Sequence, residues 1–357
     1  MSRSSERLKS LAGTRVAVTG GTGFIGRRVV AELVSHGAAV TSVTRSGRRS
    51  DRLAAAGARA VVADLARADS LRQALDGCAA LLHFAYDVRA DAASNLAAFD
   101  GVLAAAKSAG VPRIVHASSI VVYDAWPHGP VSEDAPWGAA GGGAYRQAKI
   151  AMEKRLLDSQ FQAAILQPTL VYGPGSLIWT ENPLRALRSG GLVLPDPAGL
   201  AALVHADDVA LAAALATACP DLGRERFIVT APPVPWEDYL TGLARAAGVP
   251  PPVRRPLQPI LDSLGPEPPP NDSAGPPLTV RVSAALRGIV GHERFEAATA
   301  ALTRLRRPKG PAWPDRFLLR LYAARPDISA ARAKARLGFS PRVSLEQGLD
   351  GIARQFR

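Results

Sequence analysis

The chain has 357 residues, 47% hydrophobic and 21% charged, which suits one large domain or two small ones with a sizeable core. No window approaches 18 uninterrupted apolar residues, and the first fifteen residues are polar with no apolar core region, so neither a membrane span nor a secretory signal is expected. The two cysteines, Cys78 and Cys219, exclude a disulfide framework and fit a reducing, cytoplasmic setting, while the formal charge of +12 rests mostly on scattered Arg without interleaved aromatics, so no nucleic-acid partner is expected.

Residues 1–13 read as a short tail. Val16–Val18 follow as a buried strand, then four glycines, Gly20, Gly21, Gly23 and Gly26, and then Phe24, Ile25, Val29, Val30 and Leu33 at helical spacing. Strand, glycine turn and helix in that order point to a dinucleotide site. An early glycine allows the tight turn, Gly23 lets backbone approach a pyrophosphate, and Gly26 lets helix and strand pack closely. The helix N-terminus offers N–H groups and partial positive charge to the phosphates.

Ala38–Thr44 is the second strand. An acid at its end would bind the ribose hydroxyls of NAD; an Arg there suits the 2′-phosphate of NADP. The residue is Arg45, with Arg48 and Arg49 close behind, so NADP is the expected cofactor and NAD the second choice. Arg59–Ala63 is the third strand, ending at Asp64-Leu65. A helix at Ser70–Leu75 leads to the fourth strand, Ala79–Phe84. Asp91–Gly110 is a long Ala-rich helix containing Asn95, and Arg113–Ser118 is the fifth strand. This alternation predicts an α/β chain with a doubly wound parallel sheet.

Residues 124–144 read as a loop, and a helix runs from about Tyr145 to Leu157. Ala163–Leu166 is the sixth strand. Leu203–His205 precedes Asp207-Asp208 and an Ala/Leu helix, and Arg226–Thr230 is the last strand. Beyond Pro232 the composition changes. Eleven prolines fall between 250 and 277, which argues for a loop, linker or lid, and 278–324 returns to helical patterning with many Arg.

Tyr145 and Lys149 stand four apart, on one face of a helix. Free Tyr has a pKa near 10, and a Lys ammonium beside it favours the phenolate. Ser119, just past a strand end, lies where ligands gather in open parallel sheets, and its hydroxyl can donate to the same substrate oxygen.

These motifs resemble the extended short-chain dehydrogenases/reductases, of the NAD(P)-dependent epimerase/dehydratase type. The resemblance is carried by TGGTGFIG (19–26), Asp64-Leu65, Asn95, SSIVVY (118–123), YRQAK (145–149), QPTLVYGPG (167–175), VHADDVA (204–210) and ARLGFSPRVSLEQGL (335–349), in family order. It implies a Rossmann-type sheet with a smaller C-terminal substrate-binding domain: 12–172 plus 201–231 for the dinucleotide, 173–200 plus 232–357 for the substrate. It implies that Tyr145 is the acid/base, that Ser119 polarises the substrate oxygen, and that Lys149 lowers the Tyr pKa and holds ribose. Asn95 would support the site's helix and water network. The cofactor would lie against Gly20, Thr22, Gly23, Phe24, Ile25, Gly26, Arg45, Asp64, Leu65, Ala85, Tyr145, Lys149 and Pro168, and the substrate against Tyr86, Ser119 and Tyr145.

Several positions depart from the family pattern. Tyr86 puts an aromatic ring near the nicotinamide mouth, Gln167 stands where Arg is usual, and 199–203 is wholly apolar where sugar-nucleotide members carry Arg. With Tyr86, that apolar stretch suggests a hydrophobic substrate. Ile120 and Val121 replace the Asp-Glu pair of the 4,6-dehydratases. His205 with Asp207-Asp208 looks like a metal cluster, but the resemblance makes it a structural motif and no metal is expected. The leading expectation is an NADP(H)-dependent oxidoreductase acting on a carbonyl or secondary alcohol of a small metabolite. The alternatives are a nucleotide-sugar epimerase with tightly bound NAD and a non-catalytic NADP-sensing protein. A homodimer is left open.

Overall fold

The computed structural model describes residues 3–356 except 46, 48–49, 140 and 266–310. Seven strands form one parallel sheet: β1 (Arg15–Thr19), β2 (Ala39–Thr44), β3 (Arg59–Val62), β4 (Ala80–His83), β5 (Arg113–Ala117), β6 (Gln162–Pro168) and β7 (Arg224–Val229). Their order is β7-β6-β5-β4-β1-β2-β3, so the chain reverses direction across the sheet between β1's two neighbours, β2 and β4. That switch opens a crevice at the carboxyl ends of the strands.

Both faces are covered, which is why the strands read as continuous apolar runs. Along β1, Val16 and Val18 point to one face and Ala17 to the other. The first face packs Val29, Val30 and Leu33 of α2 (Gly26–Ser35) together with α8 (Ala206–Thr217). The second packs α4 (Ala68–Leu75), α5 (Ala92–Ser108) and α6 (Ala144–Leu157) through Leu71, Phe99 and Met152. Helix α8 is almost wholly buried, which its Ala/Leu composition permits, and α1 (Arg3–Lys9) packs beside it. The expected N-terminal tail is therefore a docked helix: Leu8 and Leu11 are buried in the first core. Helix α3 (Ser50–Ala55) lies between β2 and β3.

A third cluster gathers the short parallel pair Leu170–Tyr172 and Leu203–His205 with α7 (Asn182–Arg188), α9 (Trp236–Ala247), α11 (Arg316–Ala323) and α12 (Leu345–Ala353). Trp236 anchors it, its ring 4.8 Å from that of Tyr322 and its indole N–H donating to the Leu321 carbonyl at 3.0 Å. The SLEQ sequence closes a capping box at α12 between Ser344 and Gln347.

Two loop expectations need correction. Pro130–Val131, inside 124–144, pairs with Asp327–Ile328. In the proline-rich stretch, Val253–Pro256 pairs with Val193–Asp196, and α10 (Leu257–Ser263) follows. Pro256 caps that helix and Pro259 sits in its first turn, where a missing N–H has no intrahelical partner to lose. Residues 266–277 of that stretch, and 278–310 beyond it, lie outside the described residues. No described helix is long and apolar enough to cross a membrane.

Candidate active site

The glycine turn sits at the end of β1, against the end of β4. Gly20 has φ +75°, and a Cβ there would stand 2.6 Å from the Ala85 nitrogen. A Cβ on Gly26 would stand 2.1 Å from the Gly20 carbonyl oxygen, so α2 can enter the turn only as glycine. The Gly23 N–H closes the turn onto the Gly20 carbonyl at 2.9 Å. Thr22, Phe24 and Ile25 complete the approach to α2. Arg28 locks this region from behind: it stacks 4.7 Å from the Phe24 ring centroid, pairs with Asp207 at 2.8 Å and donates to the Pro174 carbonyl at 2.7 Å. A backbone cradle that a Cβ would fill, at the switch point of the sheet, fits a dinucleotide pyrophosphate.

Arg45 follows β2, its side chain 76% exposed, and donates to Asp87 Oδ2 at 2.7 Å. Asp87 follows β4, so this ion pair reaches across the end of β1. Burial raises the Asp87 pKa, but hydrogen bonds from Arg45 and the Arg89 N–H outweigh it and leave the carboxyl below its usual range. Arg48 and Arg49 lie outside the described residues. Asp64 is exposed and accepts from the Ala66 N–H at 3.0 Å, while Leu65 packs on the α4–α5 side. Pro168 ends β6 and is buried.

Ser119 caps a single 3₁₀ turn at Ile120–Val122. Its hydroxyl lies close enough to the Tyr145 hydroxyl, in the first turn of α6, to favour the phenolate. One turn on, Lys149 Nζ donates to the Ala117 carbonyl at 2.7 Å and stands 4.7 Å from the Tyr86 ring centroid and 5.7 Å from that of Tyr145. The rings of Tyr86 and Tyr145 meet edge to face at 5.0 Å. The fold thus brings Tyr86, Ser119, Tyr145 and Lys149 together. Asn95 stands apart from them: its amide is engaged with Asp87 N–H and the carbonyls of Asp87 and Asp91, clamping the loop that carries Tyr86 and Asp87.

The electrostatics of this group differ from the sequence expectation. Desolvation pushes the Tyr145 hydroxyl up to about 12, more than the nearby Ser119 hydroxyl pulls it down, although the residue as a whole is 42% exposed. Burial also pushes Lys149 down to about 7, against the pull of Glu153. Desolvation penalises both charged forms, and the Lys149 ammonium faces a carbonyl and an aromatic ring rather than the phenol oxygen. Beneath the site His83 and His116 stack at 5.4 Å, fully buried, and His83 is bonded to Thr19 at 2.7 Å. Burial drives His83 down to about 3, so it is neutral.

Other expectations are placed differently. Within 199–203, Ala201, Ala202 and Leu203 are buried, Leu200 is half-buried, and a Cβ at Gly199 would stand 1.9 Å from the Ala324 carbonyl oxygen. Some apolar side chains are exposed: Val88, two residues after Tyr86, and Leu177 and Ile178, which follow the Pro174 loop that Arg27 and Arg28 hold to the glycine turn. His205 accepts from the Asp207 N–H at the start of α8, and Asp208 accepts from the Arg342 N–H, so both tie elements together. Two contributors had gone unread: Asp87, which carries no motif, and Glu153, whose only sequence signal is its spacing of four from Lys149.

Comparison with known proteins bears on this geometry. Residues 20–176 match a family of NAD(P)H-binding domains. A 4-hydroxy-2-methyl-3-oxo-4-farnesyl-3,4-dihydroquinoline-1-oxide ketoreductase of Stigmatella aurantiaca is 25% identical, over 95% of each chain. A 2-alkyl-3-oxoalkanoate reductase of Stenotrophomonas maltophilia is 26% identical, over 94% of this chain and 97% of its own. The chain is thus similar along nearly its whole length to two named reductases, and carries an NAD(P)H-binding domain. A nucleoside-diphosphate-sugar epimerase from Pseudomonas aeruginosa shares the fold, with TM-score 0.68 and 19% identity over 97% of this chain and 98% of that one. The cofactor of the domain at 20–176 is a nicotinamide dinucleotide.

Proposed function

We propose that the protein is an NADP(H)-dependent ketoreductase, acting through Ser119, Tyr145 and Lys149 on a ketone that carries an apolar chain. The observation that carries this reading is the gathering of Ser119, Tyr145 and Lys149 at the carboxyl edge of the sheet, with Lys149 Nζ 5.7 Å from the Tyr145 ring centroid. Burial keeps Tyr145 protonated at neutral pH, which is the form that reduction requires. When bound, the reduced nicotinamide supplies the hydride. Tyr145 then gives its phenolic proton to the substrate oxygen as the alcohol forms. Ser119 donates a hydrogen bond to that same oxygen and orients the carbonyl. Lys149 holds the ribose and offers positive charge to the phenolate left behind. Arg45 takes the 2′-phosphate, exchanging Asp87 for it.

The names of the two long-matching relatives each specify an oxo group next to alkyl or farnesyl substituents. Tyr86, Val88, Leu177 and Ile178 offer apolar surface for such a chain, supplied by the loop after β4 and by the stretch 173–200. The test is purified protein with NADPH and a panel of 2-alkyl-3-oxo acids and other ketones, followed by loss of reduced-nicotinamide absorbance. The reading requires cofactor-free purification, stoichiometric NADPH consumption and near-complete loss of turnover in Tyr145→Phe. Purification with bound NAD, and interconversion of a nucleotide sugar without net cofactor use, would replace it with the epimerase reading. Cofactor binding with no turnover on either class would leave an NADP-sensing protein.

A further inference from the structure

One turn beyond Lys149 on α6, Glu153 is fully buried, and its carboxylate is ringed by neutral donors. Oε1 accepts from the Ser118 hydroxyl and from Gln167 Nε2 at 2.9 Å. Oε2 accepts from the Trp137 indole at 2.7 Å and from Gln167 Nε2 at 3.1 Å. Gln167 is itself oriented by the Tyr123 hydroxyl, which donates to its Oε1 at 2.7 Å. The indole and amide N–H groups can only donate, so they favour the ionised carboxylate, while burial works against them and leaves the Glu153 pKa raised. Among the described residues no Lys or Arg stands within ion-pair distance of it.

The donors come from separate parts of the chain. Ser118 immediately precedes Ser119. Trp137 belongs to the loop after β5. Gln167 precedes Pro168 at the end of β6, and the Ser118 N–H also donates to the Leu166 carbonyl at 2.7 Å. We propose that Glu153 is a positioning residue for the reaction, its buried carboxylate holding the strand end that carries Ser119 to the helix that carries Tyr145 and Lys149. The proposal rests on the Ser119–Tyr145–Lys149 reading above. It also gives Gln167 a role: it binds Glu153 without neutralising it, so the carboxylate's negative charge is left to act on Lys149.

The charges around both groups can be named. Glu153 faces Lys149 on its own helix and, from β7, Arg226, whose guanidinium lies 4.8 Å from the Trp137 ring centroid; Tyr123 is the neighbouring phenol. Lys149 faces Glu153, the neutral His83 and His116 of β4 and β5, and the phenols Tyr86 and Tyr145. Glu153 is thus the anion that favours protonated Lys149.

The experiment measures kcat, KM and the pH dependence of kcat for NADPH-dependent ketone reduction. Glu153→Gln keeps the volume, removes the charge and turns an amide N–H toward donors. Loss of hydrogen bonds to a charged group predicts a fall in kcat of roughly tenfold or more, with a smaller change in KM. The alkaline limb of kcat should also move to lower pH, because Lys149 loses its anion. Glu153→Asp keeps the charge on a shorter arm, so kcat should fall while the limb stays. Ser118→Ala and Trp137→Phe each remove one donor, should fold even where Glu153→Gln does not, and should each lower kcat severalfold. The proposal is overturned if Glu153→Gln, or both donor variants where it is insoluble, keep wild-type kcat and pH limb while Tyr145→Phe is inactive. A kcat loss in Glu153→Gln with an unmoved limb would overturn the electrostatic part. An active Tyr145→Phe would instead remove the underlying site assignment.

Discussion

Cofactor choice turns on a competition that can be worked from one ion pair. Arg45 is the expected partner of the 2′-phosphate, yet it already donates to Asp87 at 2.7 Å. NADP must therefore exchange one anion for another. A hydrogen bond between charged groups contributes about 1.5–3 kcal/mol. The Arg45–Asp87 pair is solvent-exposed on the Arg45 side and contributes about 0.2–1 kcal/mol. The net preference of Arg45 for phosphate is then about 0.5–2.8 kcal/mol, or roughly 2- to 110-fold in affinity. Arg45→Ala should weaken NADP by that factor and leave NAD almost unchanged. Asp87→Asn should act in the opposite direction, tightening NADP by about 1.5- to 5-fold, because Arg45 is released. Calorimetric titration of both dinucleotides against the three proteins measures all six affinities. Equal losses for NADP and NAD in Arg45→Ala, or weaker NADP binding in Asp87→Asn, would refute the exchange.

Gly26→Ala places a methyl 2.1 Å from the Gly20 carbonyl oxygen, a backbone atom that cannot swing away; overpacking of this kind costs about 1–3 kcal/mol, so thermal unfolding should shift down and dinucleotide affinity should fall with it. Asp208 has its carboxyl raised from 3.8 to about 6 by burial, against hydrogen bonds from the Arg342 and Val343 N–H groups. A raised folded pKa gives stability that is fully present below 3.8 and lost as pH rises through about 6, at about 1.4 kcal/mol per unit. Wild type should therefore gain about 2.4 kcal/mol over Asp208→Asn between pH 7 and pH 4 in paired denaturant titrations, and a constant difference would contradict this. Finally, kcat for reduction should fall above about pH 7, where Lys149 deprotonates, and not near 12, where Tyr145 does; a limb set only at the higher value would separate the two groups.

Much of the fold was readable because its signals are local. Each strand of a covered parallel sheet is a short apolar run, and each crossover helix sits between two of them. Helix α1 escaped because only Leu8 and Leu11 bury, too few to register as a pattern. Residues 253–263 escaped because counting prolines ignores their positions: Pro256 and Pro259 fall where a helix start tolerates them. Composition shows that 199–203 is apolar but not how it packs: Ala201, Ala202 and Leu203 are buried, and Gly199 lies against Ala323 and Ala324.

The site divides along the same line. Gly20, Gly26, Ser119, Tyr145 and Lys149 are legible as short motifs, because each motif is one turn or one helix face. Glu153 and Asp87 are not, since their partners lie up to 42 residues away in sequence. Nor is the sign of a titration. Spacing alone puts an ammonium beside a phenol and suggests a lowered Tyr pKa, but burial acts on both groups at once, raising Tyr145 and lowering Lys149. The two shifts converge on one state. At neutral pH the proton stays on Tyr145 and Lys149 is close to half-charged. When Tyr145 gives up its proton, a phenolate appears near Lys149 and raises the proton affinity of the amine. Groups coupled in this way titrate as a pair, so the apparent value seen in turnover belongs to neither residue alone. A buried, undercharged lysine is then not a weakened version of the expected arrangement. It gains its full charge when the phenolate forms, while Glu153 one turn below offsets part of the cost of burying it.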